Sequence, residues 1–134
     1  MNGLVMTASN VPRLLIVDDR AQVRHELCTV LPLAGELAGL PLEIIGEARD
    51  GQEAVELAKT LHPDLVLMDL EMPVLDGYAA ARQIKAALPS IRVIALTVHD
   101  EALARRRASQ AGVDGFIVKG EPIRAIIQTI HSII

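Results

Sequence analysis

Five short apolar runs punctuate the chain: LLIV (14–17), LEIIGEA (42–48), DLVLM (64–68), RVIAL (92–96) and GFIV (115–118). Segments of helical periodicity alternate with them. Val23, Leu27, Val30 and Leu31 repeat at helical spacing, as do Ala54, Leu57, Ala58 and Leu61. Ala81, Ile84 and Leu88 form a third stripe, and Ala104, Ala108 and Ala111 a fourth. Ile123, Ile126, Ile127, Ile130 and Ile134 make the fifth, most apolar one. Strand–helix alternation of this kind predicts an α/β fold, a three-layer α/β/α arrangement around a five-stranded parallel sheet. Continuous apolar runs suit strands covered on both faces. The second run alternates, with Glu43 and Glu47 inside it, which predicts an edge position. Asp50 followed by Glu53 reads as a cap on the second helix. Pro32 is expected to kink or end the first helix, making 31–43 a long connection.

At 134 residues the chain is sized for one domain with a single core. Aliphatic side chains must build it, because Tyr78 and Phe116 are the only aromatics. No apolar run approaches the roughly 20 residues that span a bilayer, so no membrane role is expected. The start, MNGLVMTASNVP, lacks the basic and apolar regions of a signal peptide. A single cysteine, Cys28, rules out an internal disulfide and fits a reducing cytoplasm. Its place in a helical pattern predicts a buried, inert thiol. The net charge of −4 argues against direct nucleic-acid binding by this chain. Arg105-Arg106-Arg107, the one dense basic run, is read as a solvated face, with a docking surface as the second reading.

The ends of the strands carry the chemistry. In a parallel sheet all C-terminal strand ends lie along one edge, where α/β folds place their sites. LLIVDDR ends with Asp18 and Asp19, LVLMDLEMP with Asp69, VIALT with Thr97 and GFIVK with Lys119. If the first and third strands are neighbours, three carboxylates crowd together and a cation is the natural remedy. Oxygen ligands without His or Cys favour Mg²⁺. A carboxylate nucleophile, a metal held by acids, a hydroxyl donor and a fixed ammonium suit formation of an aspartyl phosphate on Asp69. Mg²⁺ and Lys119 would offset the phosphoryl oxygens, and Thr97 would donate to one of them.

The segments LLIVDD, DLVLMDLEMPVLDG, VIALT and GFIVK, in this order, resemble the receiver domains of two-component response regulators. The resemblance covers residues 13–134 and leaves 1–12 as an N-terminal extension. It implies a CheY-like (flavodoxin-like) sheet of order 2-1-3-4-5 and transfer of a phosphoryl group to Asp69 from the histidine of a sensor histidine kinase. Asp18, Asp19 and Asp69, with the backbone carbonyl of Glu71, match the metal ligands. Thr97 matches the switch hydroxyl, Lys119 the active-site lysine and Phe116 the switch aromatic. In the family, phosphorylation draws the hydroxyl toward the phosphate and turns the aromatic ring inward. The readout face is formed by the fourth helix, fifth strand and fifth helix. That face, or one on the first and fifth helices, is where a homodimer is implied.

Further features refine the resemblance. VKGEP and EIIGEARDGQEAVELA look like the NarL/LuxR-type subgroup, whose receivers precede a helix-turn-helix DNA-binding domain absent from this chain. A stand-alone single-domain receiver acting on other proteins is the alternative. Gly120 replaces the proline common after the lysine, so the usual cis peptide is not implied. Glu71 and His99, two residues beyond Asp69 and Thr97, would flank an attacking water. No turnover enzyme is expected beyond slow self-phosphorylation from small donors and self-dephosphorylation. A metal-dependent phosphatase with an aspartyl intermediate would show two aspartates spaced D-x-D after its first strand. Here Asp69 lies on the third strand and is followed by Leu70 and Glu71. A degenerate, interaction-only receiver would lack an acid, the hydroxyl or the lysine, and none is lacking.

Overall fold

The structure, a computed structural model, describes residues 11–134. All of the expected extension at 1–12 except Val11 and Pro12 lies outside the described residues. Strands and helices alternate: β1 (Arg13–Val17), α1 (Ala21–Leu37), β2 (Glu43–Ala48), α2 (Gly51–Leu61), β3 (Leu65–Asp69), α3 (Gly77–Ala87), β4 (Arg92–Thr97), α4 (Ala102–Gln110), β5 (Gly115–Val118) and α5 (Ile123–Ile133). The five strands are all parallel and lie in the order β2-β1-β3-β4-β5. β2 is an edge strand, with Glu43 and Glu47 exposed, as its alternating pattern predicts.

The period of two along each strand divides the core. Leu15, Val17, Val66, Met68, Val93 and Ala95 pack with side chains of α2, α3 and α4. Leu14, Ile16, Leu65, Leu67, Ile94 and Leu96 pack with those of α1 and α5 on the opposite face. Ile126, Ile127 and Ile130 are buried in that second layer, so most of the isoleucine stripe is core, with Ile134 exposed. The Asp50 carboxylate accepts from the Glu53 amide at 2.8 Å and Glu53 accepts from the Arg49 amide at 2.9 Å, which caps α2 as expected. Among the described residues no helix is long and apolar enough to cross a membrane.

Two expectations are corrected. α1 does not end at Pro32 but runs on to Leu37, so the long connection of the sequence reading shrinks to residues 38–42. Proline removes only its own N–H and crowds one carbonyl, while Leu31 and Gly35 on either side are buried. Gly35 is also where the chain folds back: the Leu40 amide donates to its carbonyl at 2.7 Å, and a Cβ there would meet the Leu40 oxygen at 2.4 Å. Cys28 is half-buried rather than buried, and burial, aided by the Glu47 carboxylate, pushes its thiol up to about 11. A thiol raised in this way disfavours the reactive thiolate at neutral pH.

Candidate functional site: an acidic pocket at the C-terminal sheet edge

Order β2-β1-β3 makes β1 and β3 neighbours, and Val17 pairs with Met68. Their next residues, Asp18 and Asp69, therefore emerge side by side where the sheet ends, at the crevice such folds use for ligands. Both are buried, at 1% and 3% exposure, whereas Asp19 beside them is open to solvent. Strand alternation sends Asp18, Asp69 and, two residues beyond Ile117, Lys119 to the α1/α5 side of the sheet. The Lys119 ammonium lies 3.1 Å from Asp69 Oδ2 and 3.4 Å from Asp18 Oδ2. Lys119 is itself anchored by its amide, which donates to the Thr97 carbonyl at 2.6 Å.

Each acid is aimed by the backbone around it. Asp69 Oδ1 accepts from the Glu71 amide at 3.0 Å, and Asp18 Oδ1 from the Arg20 amide at 2.9 Å. Gly77 lets the β3–α3 loop return over the site. Its amide donates to the Leu70 carbonyl at 2.9 Å, and a Cβ there would lie 2.5 Å from the Asp69 carbonyl oxygen. Burial raises the Asp69 carboxyl above its ordinary range, and the Asp18 charge raises it further. The Glu71 amide and Lys119 act in the opposite direction.

One oxygen from each of Asp18, Asp19 and Asp69 lies within 4.8 Å of the other two. Three carboxylates face the Lys119 ammonium and, 3.5 Å from Asp18 Oδ1, the largely solvated Arg20 guanidinium, which still leaves net negative charge in a partly water-excluded place. The donors are all hard oxygens with neither His nor Cys among them, a set that fits Mg²⁺ or a similar oxygen-seeking cation. The residues present thus fit the metal that the sequence implies.

The Thr97 side chain, fully buried, faces the α2–α4 side of the sheet, and its hydroxyl makes no hydrogen bond to the Lys119 ammonium or to Asp69. Its hydroxyl accepts from the His99 amide at 3.1 Å and sits 3.5 Å from Glu71 Oε2. Glu71 also meets His99 Nε2 at 2.9 Å, while His99 Nδ1 lies 3.3 Å from Glu101. Glu71 and His99 thus clasp one another at the mouth of the pocket. A cleft of about 730 Å³ continues from Asp19 and Glu71 past Met72, Tyr78 and Leu103 to Arg107.

Phe116 is not in the pocket. It lies half-buried on β5, two strands from Asp69, on the α4 side, with the Arg105 guanidinium 4.5 Å from its ring centroid. Arg107 stacks likewise on Tyr78 at 4.0 Å. The basic run is exposed, as the solvated-face reading has it, yet two of its three members cover aromatic rings. Sequence reasoning missed Arg24. Its Nη1 donates to the Asp18 carbonyl at 2.7 Å and its Nε to Glu47 at 3.2 Å. An arginine on the first helix, six residues after a strand-end acid, is too common a pattern to have pointed there.

The response regulator receiver domain family matches residues 14–131. The transcriptional regulatory protein LnrK of Bacillus subtilis is 37% identical over 123 residues, 90% of this chain and 54% of LnrK. The response regulator VraR of Staphylococcus aureus is 38% identical over 120 residues, 90% of this chain and 55% of VraR. The chain thus spans about half the length of these curated relatives. Among solved structures, a LuxR-family two-component response regulator from Aurantimonas superposes with a TM-score of 0.83 at 27% identity, covering 92% of this chain and 85% of that one. A Borrelia burgdorferi CheY, solved in complex with CheX, BeF3 and magnesium, gives 0.79 at 26% identity, covering 94% and 92%.

Proposed function

The chain belongs to the response regulator receiver family, and from that premise we propose that Asp69 is its phosphoacceptor, charged by a sensor histidine kinase and served by Mg²⁺ at the acidic pocket. One observation carries the reading. Acids from two separate strand ends converge within 4.8 Å, with the Lys119 ammonium 3.1 Å from Asp69. No packing requirement calls for two buried like charges there, and their mutual repulsion has to be offset.

The chemistry is displacement at phosphorus. An Asp69 carboxylate oxygen attacks the phosphorus of the kinase's phosphohistidine. The O–P bond forms as the N–P bond breaks, and the leaving imidazole keeps the electron pair and is protonated. Asp18, Asp19, Asp69 and the Glu71 carbonyl would hold Mg²⁺, which supplies charge neutralisation for the phosphoryl oxygens when bound. Lys119 holds and orients the Asp69 carboxylate before reaction and pairs with a phosphoryl oxygen afterwards. Thr97 gives up its present partners to donate to another oxygen. That movement opens space on the α4 side of β4, into which the Phe116 ring turns, re-shaping the face of α4, β5 and α5. Glu71 and His99, at the pocket mouth, govern the approach of the water that ends the phosphorylated state.

The relatives' greater length and the role of LnrK as a transcriptional regulatory protein support control of transcription through an output region beyond this chain, with the net charge of −4 arguing against DNA contact by the receiver itself. A homodimer through α4, β5 and α5, or through α1 and α5, would couple the two. The single thiol suits a cytoplasmic setting. Incubation with Mg²⁺ and acetyl phosphate tests the central step: the intact mass should rise by one phosphoryl group in the wild type and stay unchanged in Asp69→Asn. An unaltered wild-type mass, together with no response to beryllofluoride, would overturn the reading.

A further inference from the structure

Asp18 is held at every polar group it has. Its amide donates to the Ala48 carbonyl at 3.1 Å, Oδ1 accepts from the Arg20 amide, and Oδ2 from Lys119. Its carbonyl lies just past the end of the β1–β2 ladder and has no strand partner. A buried carbonyl left alone is costly, and here Arg24 supplies the donor at 2.7 Å. The guanidinium is fixed in turn by Glu47 on the edge strand, at 3.2 Å, and the Arg24 side chain is only 17% exposed. A charge-assisted bond this short, with its donor pinned from behind, sets the plane of the peptide joining Asp18 to Asp19. That plane decides where the Asp19 carboxylate stands relative to Asp18 and Asp69.

We propose that Arg24 is a positioning residue for the cation site: through the Asp18 carbonyl it sets the spacing of the two loop acids, with Glu47 as its backstop. The inference rests on the Mg²⁺ reading given above and adds to it a residue that contacts neither the metal nor the phosphoryl group. Mg²⁺ demands near-octahedral oxygen geometry, so a small rotation of the 18–19 peptide costs affinity. The sign of the effect separates positioning from simple charge. Arg24 is a cation close to an acidic cluster, and by electrostatics alone its removal would tighten Mg²⁺ binding. Positioning requires the opposite.

Isothermal titration with MgCl₂ decides between them, on wild type, Arg24→Met, Arg24→Lys and Arg13→Met, with thermal melts in EDTA alongside. Arg13 is the matched control. It too donates to backbone carbonyls, those of Leu61 and His62, but at the far end of β1. Arg24→Met should weaken Mg²⁺ binding about tenfold, the usual loss when an outer support of a metal ligand is removed. Arg24→Lys keeps the charge without the two-pronged geometry and should fall between. Arg13→Met should melt lower while binding Mg²⁺ as wild type does. Unchanged or tighter binding by Arg24→Met overturns the proposal, as does equal weakening by Arg13→Met. If Arg24→Met fails to fold, Arg24→Lys decides by the same criterion. A wild-type chain that binds no Mg²⁺ overturns the acidic-pocket reading itself, and this inference with it.

Discussion

Replacing Asp69 by Asn should make the cation-free protein more stable, although it removes the group on which the proposed function depends. At an effective dielectric of about 20, the Lys119 ammonium 3.1 Å away attracts the Asp69 carboxylate by roughly 5 kcal/mol, while Asp18 at up to 4.8 Å repels it by about 3.5 kcal/mol. Asp19 adds a further repulsion that solvent screens. These Coulomb contributions nearly cancel, so the cost of holding an ionised carboxylate at 3% exposure decides the sign. Asn keeps the acceptor for the Glu71 amide, and Lys119 keeps Asp18. The expected gain is about 1–2 kcal/mol at neutral pH, the lower part of the range for relieving a buried charge, or roughly 3–8 °C in melting temperature for a domain of this size.

The pH dependence follows from the raised Asp69 carboxyl. Its ordinary value is 3.8, and in the folded chain burial places it higher, so the folded state holds that proton more tightly than the unfolded one. Wild-type stability is therefore lost as pH climbs from the ordinary value through the raised one. The advantage of Asn should be absent in acid, open over that window and then level off. Mg²⁺ at ten times its dissociation constant should restore about 1.4 kcal/mol to the wild type and far less to the variant. Thermal melts followed by far-ultraviolet circular dichroism, in EDTA and in Mg²⁺ across pH, give all three quantities. An Asn variant less stable than wild type in EDTA, or a difference that does not change with pH, would refute the argument.

Two further outcomes test the surroundings of the site. Gly77→Ala forces a methyl group against the Asp69 carbonyl oxygen and the Leu70 Cα, at 2.5 and 2.6 Å, and backbone cannot yield cheaply. It should cost about 1–3 kcal/mol in urea unfolding and weaken Mg²⁺ binding in the same variant. Cys28, with its thiol pushed up to about 11, should react with a disulfide reagent far more slowly than a free cysteine at neutral pH, accelerating until the solution reaches that value. Fast labelling at neutral pH would show that the thiolate is not disfavoured by its setting.

Much of this was legible in one dimension, because the signals involved are local. Strand and helix periodicity depend on near neighbours in the chain, so the five runs and the five stripes fell close to the observed elements. The strand-end residue types were legible for the same reason. An acid after Val17 or Met68 has nowhere to go but the rim of the sheet. Pro32 misled because its local cost was read without the burial of Leu31 and Gly35 that carries the helix past it. Cys28 misled in a smaller way, since helical spacing cannot tell a half-buried flank from a buried face.

Contacts between distant positions were a different matter. Lys119 and Asp18 are 101 residues apart, and their meeting depends on the strand order together with the parity of each strand, which decides the side from which each residue enters the pocket. The same parity puts Phe116 on the other face, under Arg105. The clasp of Glu71 with His99 and the hold of Arg24 on the Asp18 carbonyl are likewise products of the assembled loops. The chain's own pattern thus determined which elements form and what chemistry their ends carry. Only packing decided which of those ends touch, because a few ångströms of separation is set by the whole sheet and its covering helices rather than by any one segment.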